Sequence, residues 1–508
     1  MEVKEKFIEA IKESYNFKGE SILIGSAILD NDQETGCQVT VPLRTMNRHG
    51  LIAGATGTGK TKSLQLIAEG LSNAGVPVLL MDVKGDLSGI AAPGSMNPVV
   101  EKRSGIIGMD WQPQGFDCEL MTISNEPGVK MKATVSEFGP ILLGKILDLN
   151  ENQTGILSMV FKYCDDKNLP LLDIEDLKTV LKYIQEDGKQ EFQKDYGFFQ
   201  STSAGTIMRS VTSLEQQGAA RFFGEPSFDI EDLMSRDDQG RGMINILRVT
   251  DIQSNTAMFS TFMLCLLAEI FQKMPEKGDV EKPELVIFFD EAHLIFRNAT
   301  KTLLDQFEIT IKLIRSKGVG IILVTQSPDD IPAEVLGQLG LKVQHALRAF
   351  TAKDRKAIKL AAENYPLSDF YVANELITRM GTGEAMVTAL NEKGMPTQLV
   401  HTLMRPPFSR MDVLTEREIS EIVDRSALVK NYNREIDRES AHEILLERMM
   451  ESDEQERRAK EKTGTRRTTT RSSRQVSTFE KIMKSSVTRT VAREVTRGLL
   501  GVLGLKRR

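Results

Sequence analysis

Eight consecutive residues constrain this chain more than anything else in it: Gly54-Ala55-Thr56-Gly57-Thr58-Gly59-Lys60-Thr61. They fit the pattern G-x-x-x-x-G-K-[ST], and the flanks fit as well. His49 to Ala53 is short and apolar, as a buried strand entering such a loop should be. Ser63 to Glu69 reads as a helix with Leu64, Ile67 and Ala68 on one face. Three glycines let the backbone turn its N–H groups around a polyphosphate, and the helix N-terminus adds partial positive charge. In such a loop Lys60 reaches the β- and γ-phosphates and the Thr61 hydroxyl sits on Mg²⁺. A glycine-rich turn that merely contained Lys-Thr would lack the strand before it and the helix after it. The chain is therefore expected to bind a nucleotide, ATP with Mg²⁺, on an α/β fold.

A second apolar run, Leu285 to Phe289, ends in Asp290-Glu291. In isolation it is a buried strand that stops at charged residues. Beside a P-loop, Asp290 can complete the Mg²⁺ shell and Glu291 can accept a proton from an attacking water. Two further runs share the buried-strand pattern, Val76 to Asp82 and Val319 to Thr325. The first emerges in Asp82-Val83-Lys84-Gly85-Asp86, which reads equally as a plain turn or as part of a site at the carboxyl edge of a sheet. The second emerges in Gln326, which can orient water or sense the γ-phosphate, or can simply cap a loop.

Around these strands the chain divides by pattern. Residues 1–44 read as a short helix, with Phe7, Ile8, Ile11 and Tyr15 at helical spacing, and a small β cap. Residues 45–136 form the first part of the nucleotide-binding core, with 95–130 read as irregular and strand-like connections. Residues 137–240 read as a helical insertion, and 241–405 as the second part of the core. Residues 406–462 carry dense alternating charge with sparse apolar positions, which favours long exposed helices. Residues 463–508 form a basic low-complexity linker and an amphipathic helix with apolar residues every four, Phe479 through Leu503.

Composition narrows the function classes. No apolar run is long enough to span a bilayer, and the start, Met1 to Lys6, is too charged for a secretory signal. The four cysteines are scattered without a C-x-x-C pair, and the five histidines lack metal-ligand spacing, which suits a reducing cytoplasm. The net charge of −6 hides an asymmetry. From Arg466 to Arg508, twelve Lys and Arg face two Glu, a net +10, which leaves −16 for residues 1–465.

The adjoining acids Asp290-Glu291 favour the P-loop branch whose catalytic Glu follows the Mg²⁺-binding Asp. There is no N-K-x-D motif of a GTPase and no L-S-G-G-Q of a transporter ATPase. Arg48 to Gly54 running into the P-loop, Asp82 to Asp86, Phe289 to His293, and Arg315-Ser316-Lys317-Gly318 leading to Gln326-Ser327-Pro328 resemble the HerA–FtsK superfamily, above all bacterial HerA-like C-terminal-domain proteins. The likeness spans about residues 45 to 405. It implies a RecA-like core with a mostly parallel sheet, assembly into a homo-hexameric ring, and ATP-driven movement of double-stranded DNA. It also implies roles for residues: Lys60 and Thr61 as Walker A, Asp290 and Glu291 as Walker B, and Gln326 as sensor. Arg315 takes the place of the arginine offered to a neighbour's γ-phosphate, with Arg48 and Arg348 as further candidates for that charge-neutralising work. Translocases of this type carry a sizeable N-terminal β-barrel tied to a nuclease or other partner protein, and residues 1–44 are shorter than that. A reading from another class is an ATP-dependent switch or scaffold that docks a membrane or protein through the basic tail.

Overall fold

Strands buried on both faces set the centre of the fold. The computed structural model describes residues 2–462 apart from 31, 34, 35, 251–255, 298, 299, 350 and 437. The basic linker and amphipathic helix read in 463–508 lie outside the described residues.

The chain opens with α1 (Glu2–Ser14), which buries Phe7 and Ile11, and with the antiparallel pair β1 (Ser21–Ala27) and β2 (Gln38–Pro42). β3 (Gly50–Ala53) enters the P-loop, followed by α2 (Lys60–Asn73) and β4 (Val78–Asp82). Residues 95–130, expected to form irregular and strand-like connections, contain the strands β5 (Cys118–Thr122) and β6 (Val129–Lys130), and also a helix, α3 (Pro98–Ile107). The α3 sequence has low intrinsic propensity, with β-branched residues and Gly105, so its caps define it. The Asn97 side chain accepts from the N–H groups of Val99 and Val100, Pro98 sits in the first turn, and Gly108 closes the helix in the left-handed region.

Five helices follow: α4 (Val135–Ile146), α5 (Glu151–Lys167), α6 (Ile174–Tyr183), α7 (Lys189–Tyr196) and α8 (Ser201–Gln216). Reciprocal capping boxes start three of them, at Thr134/Glu137, Asn150/Gln153 and Asp173/Asp176. The chain then returns to the sheet through β7 (Ile244–Arg248), α9 (Thr256–Lys273), β8 (Leu285–Phe289), α10 (His293–Phe296), α11 (Lys301–Ile314) and β9 (Val319–Thr325). After α12 (Ala333–Leu336) come β10 (Leu341–His345), α13 (Ala352–Glu363), α14 (Ala373–Arg379), β11 (Glu384–Thr388) and β12 (Val400–Met404).

The twelve strands among the described residues join one sheet, in the order β2-β1-β12-β11-β10-β3-β9-β8-β4-β7-β5-β6. From β10 to β6 the neighbours run parallel, and from β2 to β10 they run antiparallel. Every residue of β4, β8 and β9 is buried. Alternate side chains serve opposite faces. Leu79, Met81, Ile287 and Phe289 pack with the helices of 135–216, whereas Val78, Leu80, Val286 and Phe288 pack with α2 and the β1–β2 side.

Arg405-Pro406-Pro407, expected to mark the end of the core, instead begins a strap that crosses α2. Glu69 of α2 accepts from Arg405, from the N–H groups of Phe408 and Ser409, and from the Ser409 hydroxyl. Three helices complete the described chain: α15 (Glu416–Arg425), α16 (Ala427–Tyr432) and α17 (Ala441–Lys462). They were expected to be exposed, yet Ile419, Ile422 and Val423 pack on the α2 side and Ala441 and Leu445 are fully buried in the other cluster. A charged helix needs few apolar positions to dock, and Ala441, Leu445 and Met449 at four-residue spacing supply them.

Candidate nucleotide site

β3, β9, β8 and β4 are neighbours in the sheet and end at one edge, where an open α/β sheet binds ligands. The P-loop starts there. Gly54 has φ 154°, and a Cβ at that position would stand 2.5 Å from the His345 Cβ. Only glycine lets the loop pass so close to β10. The loop is pinned by N–H donation from Gly54 to Thr325 O (3.3 Å), from Ala55 to Ala346 O (2.9 Å) and from Thr58 to Ala55 O (3.4 Å). Gly59 caps α2 in the left-handed region, so the first turn of the helix points its orphan N–H groups into the loop. Lys60 is almost wholly buried and donates to Ala55 O at 3.2 Å. Burial lowers its pKa, and the nearby Lys84 charge lowers it further.

The acids face the loop from β4 and β8. Thr61 Oγ1 lies 3.5 Å from Asp86 Oδ2. Asp86 Oδ1 and Asp290 Oδ2 are buried without a hydrogen-bond partner among the described residues. Burial raises the Asp290 pKa to about 7; Lys84 opposes this, while Glu291 and Asp86 add to it. A divalent cation would relieve both orphan oxygens. The donors Thr61, Asp86 and Asp290 are all oxygen, as Mg²⁺ prefers. Among the described residues no group of three or more His, Cys, Asp or Glu can hold a metal by itself. That fits a cation held largely by phosphates and water.

Glu291 follows Asp290 with φ 48°, a strained conformation for a non-glycine residue. Its carboxylate pairs with Lys84 through Oε1, and its Oε2 lies 3.1 Å from His293 Nδ1 and 3.4 Å from Gln326 Nε2. Burial would raise its pKa, but these partners outweigh burial and hold it below the ordinary value. Lys60, Thr61, Asp290, Glu291 and Gln326 therefore meet at one edge.

The arginines do not join them. Arg315 is exposed and precedes β9 at the far edge of the sheet, a full strand length from Thr325. Arg48 precedes β3 at that same far edge, where its carbonyl accepts from Gly340 N–H. Arg348 lies on the P-loop edge but is exposed and turned to Thr378 O at 3.2 Å.

Lys84 and Asp86 stand in the motif after β4 and were legible there as one of two readings. His345 carried no sequence signal. It donates from Nδ1 to Glu384 O (2.9 Å) and accepts the Ser63 hydroxyl at Nε2 (2.8 Å), and burial depresses its pKa to about 4. This neutral ring ties β10 to the first turn of α2. Two openings flank the loop. An open cleft of about 840 Å³ on one side includes His293, Gln326 and Asp330. On the other side a cavity of about 340 Å³ is lined by Ser63, Leu66, Val100, Arg103, Gly383 and Met411, among others.

The sequence matches the family Helicase HerA-like C-terminal over residues 27–508. It is 21% identical to the DNA double-strand break repair helicase HerA of Sulfolobus acidocaldarius, over 75% of this chain and 69% of that protein. It is 23% identical to the HerA of Sulfurisphaera tokodaii, over 69% of this chain and 64% of that protein. This chain thus spans about two thirds of those relatives. Among solved structures, the bacterial conjugative coupling protein TrwB superposes with a TM-score of 0.53 at 13% identity, covering 80% of this chain and 94% of that one. A TrwB structure in complex with ADP and Mg²⁺ gives 0.51 at 14% identity, with the same coverage of both chains. With the P-loop, the paired acids and the parallel sheet in place, the chain is a P-loop ATPase and belongs to the helicase HerA-like C-terminal family.

Proposed function

We propose that the chain hydrolyses ATP as a ring motor, in which Arg315 of one copy reaches the P-loop of the next. The observation that carries the reading is the meeting of Lys60, Thr61, Asp290, Glu291 and Gln326 at one sheet edge. Loop residues Gly54, Ala55, Thr56, Gly57, Thr58 and Gly59 wrap the phosphates, with Lys60 on the β- and γ-phosphates. Thr61, Asp86 and Asp290 would hold Mg²⁺, which would neutralise the charge that develops during phosphoryl transfer. Glu291 takes a proton from water as the water oxygen bonds to the γ-phosphorus, Gln326 orients that water, and the bond to the ADP oxygen breaks. The 340 Å³ cavity beside α2 receives the base.

Position supports a role in trans for Arg315, because a residue at the far edge of the sheet cannot reach its own P-loop. The relatives named as DNA double-strand break repair helicases support double-stranded DNA as the polymer acted on. Glu291→Gln keeps the shape of the side chain and removes the base, so nucleotide binding should persist while turnover falls by ~10²–10⁴-fold. Turnover within threefold of wild type, on the order of 0.6 kcal/mol, would overturn the assignment. Addition of double-stranded DNA at low salt should raise ATPase activity, and added salt should reverse it. Stimulation by anionic vesicles in place of DNA would favour the switch or scaffold reading, with the +10 tail as its anchor.

A further inference from the structure

Lys84 has no part in the chemistry above, yet its ammonium stands among the reacting groups. The turn that carries it is fixed. The Asp82 carboxylate accepts from the N–H groups of Gly85 (2.7 Å), Asp86 (3.2 Å) and Leu87 (3.2 Å), so Lys84 projects from a loop pinned to the end of β4. Its Nζ pairs with Glu291 Oε1 while His293 and Gln326 hold Oε2. Both oxygens of the carboxylate assigned as base are thus occupied. Lys84 and Lys60 are near enough for their charges to act on each other, and both act on Asp86, Asp290 and Glu291. Two ammonium groups therefore converge, from β4 and from α2, on the space in front of the P-loop.

We propose that Lys84 is a second γ-phosphate-binding residue, which Glu291 holds in reserve until ATP arrives. The proposal rests on the reading of this loop as an ATP site. A terminal phosphate carries up to two negative charges against one on Glu291, so at equal distance it attracts the ammonium about twice as strongly. The lysine side chain is 40% exposed, so it can swing without stranding a buried charge. The exchange moves Lys84 from the carboxylate to the phosphate and leaves Glu291 unpaired on Oε1. ADP lacks the γ-phosphate and leaves the pair closed. Substrate loading and release of the base then become one event.

The test measures equilibrium binding of Mg²⁺·ATPγS and Mg²⁺·ADP to the full chain by calorimetry. Lys84→Met should weaken ATPγS by roughly tenfold or more, the worth of one charge-assisted hydrogen bond, and change ADP by less than about twofold. Lys84→Arg should keep the preference for ATPγS. Glu291→Gln should tighten ATPγS by roughly threefold or more, because Lys84 is no longer held, and this gain should vanish in the Lys84→Met background. Equal losses for both nucleotides in Lys84→Met, or the same Glu291→Gln gain in both backgrounds, overturns the proposal. If Lys84→Met does not fold, the single Glu291→Gln variant decides, and no gain in ATPγS affinity overturns it. A wild-type chain that binds neither nucleotide overturns the ATP-site reading itself, and this proposal with it.

Discussion

Replacing Glu69 with Ala should detach the strap that begins at Arg405. Glu69 is fully buried on α2, and its carboxylate accepts four hydrogen bonds: from Arg405 Nη1 (3.0 Å), Phe408 N (3.0 Å), Ser409 N (2.9 Å) and Ser409 Oγ (2.6 Å). Arg405 is 3% exposed and also donates to Leu23 O, Leu66 O and Pro406 O, with its guanidinium 4.4 Å from the Phe408 ring centre. Removing the acid leaves a buried guanidinium without a counter-charge. Four hydrogen bonds to a charged group, at ~1.5–3 kcal/mol each, would sum to an overestimate, because one desolvation is counted repeatedly. Breaking one partner of a buried pair costs ~3–5 kcal/mol, and that figure governs here. Glu69→Gln keeps one acceptor oxygen but turns an amide N–H₂ toward a donor, so it should lose somewhat less. Urea denaturation followed by circular dichroism, with unchanged m, reads the loss. The double variant Glu69→Ala/Arg405→Ala should show a coupling of at least ~1.5 kcal/mol. A loss below ~1 kcal/mol in Glu69→Ala, or additive single effects, would refute the reasoning. Arg405, Pro406 and Met411 also line the cavity beside α2, so ATP should bind more weakly to Glu69→Ala while tripolyphosphate is little affected.

Two buried histidines set an acid limit on stability. Burial depresses His49 to about 4 against its bond to Ile311 O, with Arg315 adding to the shift, and burial depresses His345 to about 4 against its bond to Glu384 O, with Lys60 adding. Both are neutral when folded, so their stability is present above the unfolded pKa near ~6.5 and lost as pH falls toward ~4, by on the order of 3 kcal/mol each. His345→Asn should flatten the fall of Tm between those pH values, and an unchanged slope would count against the assignment. If Arg315 acts in trans, Arg315→Ala and Lys60→Ala chains should each be inactive and regain activity when mixed; no recovery would argue against a shared site. The base should be read weakly, because Arg103 commits its guanidinium to the carbonyls of Gly383, Met404 and Thr382, and Pro406 and Pro407 have no N–H to offer. ATP and GTP should then differ in kcat/KM by less than about 200-fold, the reach of apolar discrimination, and a larger preference would show a polar contact to the base edge.

Adjacent residues determined much of this protein. The P-loop at 54–61, the runs ending in Asp82, Asp290 and Thr325, and the helical stretch after 135 are all written in contiguous sequence, because phosphate cradles, strands and helices repeat within a few residues. The caps that start α3 are equally local, yet its weak interior masked them. What the tertiary structure alone decided is which distant side chains meet. His345 reaches Ser63 across 282 positions, Arg103 reaches Gly383 across 280, and Arg405 reaches Glu69 across 336. The same holds for the parallel pairing of β3 with β9, which sets Arg315, ahead of β9, at the edge opposite Lys60, which follows β3. No spacing in the chain encodes such pairs, since they arise where packed strands and helices share a buried surface, and burial then compels each polar group to find its partner.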